Sequence, residues 1–149
     1  MYVAVVGAGR AGPEIERLAE EVGRRLALAG AIVVTGGLTG VMDAASRGAA
    51  RAGGHVVAIV PGESRAGATV HAATVVATGT GQARNLAVAA TCDAMIAVGG
   101  EWGTLSEIAL ARKLGRPVVA LAGWEVRGVE TAADPEAAVA RLLELVAAG

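Results

Sequence analysis

Arg84 and Glu107 are the two side chains whose neighbours in this sequence suggest chemistry. Arg84 stands in Gly79-Thr80-Gly81-Gln82-Ala83-Arg84-Asn85, close to a predicted helix start. A guanidinium there either pairs with a surface carboxylate or grips a phosphate as a planar two-pronged donor. Glu107 follows Gly103-Thr104-Leu105-Ser106, and Thr104 and Glu107 match the spacing of a capping box. In the sharper reading Glu107 is a catalytic or ribose-binding carboxylate at the mouth of a cleft.

Both residues stand near glycine turns. Gly7-Ala8-Gly9-Arg10-Ala11-Gly12 spells GxGxxG after one apolar run. Thr35-Gly36-Gly37-Leu38-Thr39-Gly40 and Gly99-Gly100-Glu101-Trp102-Gly103-Thr104 follow two others. A glycine turn between a strand and a helix aims free N–H groups and the positive end of a helix dipole at one point, where an anion is stabilised. The residues expected to hold such an anion are Gly7, Gly9, Arg10, Gly36, Gly37, Thr39, Arg84, Asn85, Gly99, Gly100, Gly103 and Thr104. NAD binding of the ordinary kind would need a carboxylate at the end of the second strand, and Thr35-Gly36-Gly37 occupies that place.

The remaining candidates are weaker. Cys92 reads as a small core residue, and Asp93 as a cap at the helix-to-strand junction. His55 and His71 lack partner ligands, so no metal site is predicted. Trp102 could cover a flat ligand ring, face a second subunit or lie on the surface.

The elements that must position these residues alternate in type. Strands are predicted over 2–6, 31–35, 55–60, 74–77, 94–98 and 118–121, and helices over 13–29, 39–52, 82–91, 105–114 and 135–147. Gly30, Gly53 and Gly115 fall where helix C-caps belong, and Asp134-Pro135 reads as an N-cap with proline in the first turn. The predicted fold is a single-domain, Rossmann-like, doubly wound α/β parallel sheet of about six strands with helices on both faces. A strand order of 3-2-1-4-5-6 would put the ligand at the switch point between the first and fourth strands. Residues 61–73 form a longer connection than most, as functional loops often do.

Composition agrees with this outline. Across 149 residues, 54% are hydrophobic, yet Phe is absent and Trp occurs twice, so the core is built from Val, Leu, Ile and Ala. The formal net charge of −1 gives no bulk attraction to nucleic acid or membrane. With no long apolar run and no basic leader before the first strand, the sequence reads as a soluble cytoplasmic protein.

Taken in order, these motifs resemble the Rossmann-like "lysine decarboxylase" superfamily (SLOG), which includes the Lonely-Guy phosphoribohydrolases. The matching segments are the first turn, the GG-x-x-G-V-M run ending at Met42, Val60-Pro61-Gly62, Arg84 and Gly103-Thr104-Leu105-Ser106-Glu107. The hydrolases carry PGGxGTxxE and an Arg-Lys pair. Their catalytic arginine and glutamate would fall on Arg84 and Glu107. Gly99 replaces the motif's proline, Glu101 its second glycine and Asn85 the lysine. These departures are similar to the branch of the molybdenum cofactor carrier proteins, with TG-x-x-x-ARN and vGG-x-x-GTLSEI. That resemblance implies a binding protein for a phosphorylated nucleotide-like or pterin-like molecule, needing no further cofactor. Phosphate, a nucleotide or the molybdenum cofactor would be the bound species. The alternative it implies is hydrolysis of the N-glycosidic bond of a nucleoside 5′-monophosphate, with Arg84 and Glu107 catalytic. A homodimer or larger even-numbered homo-oligomer is also expected.

Overall fold

The apolar runs become strands in the computed structural model, which describes residues 1–149. They are β1 (Tyr2–Gly7), β2 (Ile32–Thr35), β3 (Val56–Val60), β4 (Thr74–Ala77), β5 (Ala94–Val98), β6 (Val118–Leu121) and β7 (Glu130–Ala132). All are parallel, in the order β4-β3-β2-β1-β5-β6-β7. The helices are α1 (Pro13–Leu28), α2 (Val41–Arg51), α3 (Arg84–Thr91), α4 (Trp102–Lys113) and α5 (Pro135–Ala147), with a 3₁₀ turn over Gly81–Ala83.

Two features depart from the predicted sheet. β4 pairs with β3 at the edge, and β5 takes the central place beside β1. Burial explains the exchange. Every residue of β5 is buried, as a central strand needs, whereas β4 keeps only Val75 partly covered. The seventh strand, Glu-Thr-Ala, has no apolar run to mark it in the sequence. It is held as an edge by pairing with β6 and by Glu130, which Arg141 of α5 bonds at 2.6 Å.

Side-chain alternation along each strand feeds two cores. Val3, Val5, Val33 and Ile96 pack with α1, α2 and α5 on one face. Ala4, Val6, Val34, Met95 and Ala97 meet α3 and α4 on the other. Helices therefore cover both faces of the sheet. Their ends follow the expected chemistry: Gly30, Gly53 and Gly115 adopt positive φ after α1, α2 and α4, and Asp134 accepts from the Ala137 N–H at 2.8 Å. Asp93 serves strands rather than a helix: its carboxylate accepts from the Tyr2 N–H at 2.8 Å, joining the starts of β1 and β5. Cys92 is fully buried, and burial pushes its thiol up to about 11, as for a core residue.

The start of α4 is the main local correction. The expected capping box places the helix start at Thr104, but the helix begins at Trp102 with Glu101 as N-cap and no side-chain cap. Gly100, at φ 129, turns the chain early, and a Cβ there would stand 2.7 Å from the Thr104 Cβ. Thr104, Glu107, Ile108 and Ala111 consequently share the buried face of α4. Glu107 is thus a carboxylate on an otherwise apolar stripe. No helix is long and apolar enough to cross a membrane.

Candidate functional site

At the carboxyl edge of the sheet, the chain leaves β1 towards β2 on one side and β5 towards β6 on the other. Gly7 and Val98 are register partners, so the turns after both strands open side by side at this divide. A cleft of about 610 Å³ lies over it. Its walls are the Gly7-Ala8-Gly9 turn, Leu38 and Met42, Pro61 after β3, the Gly81–Asn85 stretch, and Glu101 to Thr104 with Glu107 from α4.

The first and second turns are joined into one block. The Val41 N–H donates to the Ala8 carbonyl at 3.1 Å, and the Thr39 hydroxyl donates to the Gly9 carbonyl at 2.7 Å. Gly37 is occupied internally as well: its N–H donates to the Thr35 hydroxyl at 3.1 Å and its carbonyl accepts from the Thr69 N–H at 2.7 Å. Gly36 faces the Arg84 guanidinium, and any side chain there would occupy the space that the guanidinium fills. The second turn therefore props the cleft from behind, reaching it only through Leu38.

Among the residues expected at an anion site, Gly7, Gly9, Arg84, Asn85, Gly103 and Thr104 line the cleft, as does Glu107. Gly36, Gly37 and Thr39 stand behind it. The Gly99 N–H is spent on the Leu121 carbonyl at 2.8 Å, Gly100 packs on Thr104, and Arg10 is exposed away from the lining. Asn85 ties α3 to α4 by donating to the Ser106 hydroxyl at 3.2 Å. Leu38, Met42, Pro61 and Gln82 line the cleft without having been expected there. Apolar or neutral residues give no charge signal in a sequence, although all four fall within its motifs.

Arg84 and Glu107 are the electrostatic centre. Both are more than nine-tenths buried, at 9% and 6% exposure. The Arg84 Nε is buried with no hydrogen-bond partner. Burial lowers the Arg84 pKa, against the pull of Glu107's charge. Burial likewise pushes Glu107 up to about 7, with Arg84 pulling it down. No hydrogen bond stabilises either charge. A buried guanidinium without a partner is expensive unless something completes its shell. The first N–H groups of α4 also lack helical partners and emerge at Trp102, Gly103 and Thr104. An unpaired arginine and a helix N-terminus that line one cleft can together hold an oxyanion.

At the rim, the Trp102 and Trp124 rings lie with centroids 5.3 Å apart and planes tilted by 45°. The Trp124 indole N–H donates to the Glu101 carbonyl at 3.1 Å.

Comparison with known proteins gives the chain its relatives. The molybdenum cofactor binding protein of Rippkaea orientalis is 31% identical, superposes with a TM-score of 0.92, and the match covers 97% of this chain and 96% of that one. The molybdenum cofactor carrier protein of Chlamydomonas reinhardtii is 32% identical at a TM-score of 0.90, over 99% and 98% of the two chains. An uncharacterized protein of Archaeoglobus fulgidus is 41% identical over 140 residues, 93% of this chain and 92% of its own. The model of the SLOG cluster4 family matches residues 1–146. With a carrier-like fold and a family match over nearly its whole length, the chain belongs to the SLOG cluster4 family.

Proposed function

We propose that the chain binds a phosphorylated small molecule with a flat ring, of the pterin or nucleotide class, and holds it in this cleft without turning it over. The observation that carries this reading is Arg84: a buried guanidinium with an unpartnered Nε, lining the same cleft as the uncapped N-terminus of α4. A phosphate monoester supplies the acceptors that both lack. The structural likeness to a molybdenum cofactor binding protein and a carrier protein supports the pterin side of the class.

A second reading rests on a different observation, the rise of Glu107 to about 7 beside Arg84. A carboxylate poised near neutrality suits general base or acid work. Arg84 would orient the phosphoribosyl group, and Glu107 would activate water to attack C1′ as the bond to the base nitrogen breaks. The released base would take up the proton.

One experiment separates the two. AMP, GMP and ribose 5-phosphate are titrated calorimetrically, and the same mixtures are chromatographed for free base. The carrier reading expects saturable binding without base release, and at least about a tenfold loss of affinity in Arg84→Ala. Base release that disappears in both Arg84→Ala and Glu107→Ala would establish the hydrolase instead. No binding by any of the three compounds would overturn both.

A further inference from the structure

Trp102 lines the cleft yet keeps 76% of its surface exposed. An indole is among the costliest side chains to leave in water, since it can bury some 150–250 Å² of surface. It is also braced: Trp124 backs it at 5.3 Å and is itself pinned to the Glu101 carbonyl. A ring held from behind and open in front is a stacking platform. Aromatic stacking on a nucleobase contributes roughly 1–3 kcal/mol and works on any flat heterocycle.

Glu101 adds discrimination. It lines the same cleft beside Trp102, its backbone is fixed by Trp124, and its carboxylate caps no N–H of α4. An ionised carboxylate only accepts hydrogen bonds, through two oxygens side by side. Its best partner on a flat ring is an edge with two adjacent donors. A 2-amino-4-oxo pyrimidine ring, common to guanine and the pterins, has such an edge in its ring N–H and its 2-amino group. Adenine offers one amino donor beside a ring-nitrogen lone pair, which faces the carboxylate unfavourably.

We propose that Trp102 and Glu101 form a ring-reading subsite that selects a 2-amino-4-oxo ring over a 6-amino ring, on the reading that the cleft takes a phosphorylated ligand. The probes are GMP, AMP and ribose 5-phosphate, with binding followed by calorimetry and by tryptophan fluorescence. GMP should bind at least about tenfold more tightly than AMP. Glu101→Gln keeps the shape and replaces one acceptor with a donor. It should erase most of that preference by weakening GMP, leaving ribose 5-phosphate unchanged. Trp102→Ala should weaken GMP and AMP alike, again sparing ribose 5-phosphate. Equal affinity for GMP and AMP in the unmodified protein, or a preference that survives Glu101→Gln, overturns the subsite. If ribose 5-phosphate binds while the ring adds nothing, the subsite falls and the phosphate site stands. If no probe binds, the phosphate reading falls and the subsite goes with it.

Discussion

Glu107 bears the most consequential single ionisation in the molecule. Its pKa is raised from 4.5 to about 7, chiefly by burial, so the folded protein retains a proton that the unfolded chain releases. Native stability is therefore greatest, for this group, below pH 4.5 and declines as pH rises through 7. The loss amounts to roughly 3 kcal/mol. Glu107→Gln is neutral throughout and should escape it. Urea unfolding at a series of pH values should show the variant gaining on the unmodified protein by about that amount between pH 4 and pH 8. A difference that stays constant with pH would show that Glu107 ionises freely in the fold. Arg84 and Glu107 were both visible in the sequence through their motifs, but Glu107's environment was not. Thr104-Leu105-Ser106-Glu107 spells a local cap, and only the early turn at Gly100 moves Glu107 onto the buried face.

Among the elements, α1 and α2 approach closely enough for backbone to meet backbone. A Cβ on Gly23 would run into the Ala45 carbonyl, and one on Gly48 into the Glu20 carbonyl. Beside this contact, Glu20 of α1 receives Arg47 at 3.0 Å and Arg51 at 2.8 Å, both from α2. Alanine is the better helix former by about 1 kcal/mol. Gly23→Ala should nevertheless destabilise the protein by roughly 1–3 kcal/mol, because the two helices must separate. Thermal unfolding checks this, and a raised midpoint would mean that the contact is slack. Helices and buried strands were legible because their apolar periodicity is strong. Less so were the place of β4 in the sheet, though not its bounds, and the whole of β7, which pairing and the Glu130–Arg141 bond settle rather than apolar content. The composition of β4 carries its place: Thr-Val-Val-Ala suits an edge less buried than the Ala-Met-Ile-Ala-Val of β5.

For the whole molecule, a near-neutral charge surrounds a valine- and alanine-rich core, and the buried charged side chains, Arg84 and Glu107, both line the cleft. We propose that copies associate in even numbers, since Leu28 of α1 remains 64% exposed beside a groove that Val139 and Leu143 of α5 also line. Light scattering should return at least twice the 14.6 kDa chain mass, and a monomer at micromolar concentration would overturn this. The hydrogen bonds joining the first and second turns bear on how any ligand would be received. With Ala8 fastened to Val41 and Gly9 to Thr39, the cleft floor is set when the chain folds. Its conformational entropy is already spent. A ligand arriving there freezes a few side chains rather than a loop, so little of its interaction energy is diverted into ordering backbone. Such a site can be tight with few contacts, and a ligand can leave it without any part of the fold having to reopen.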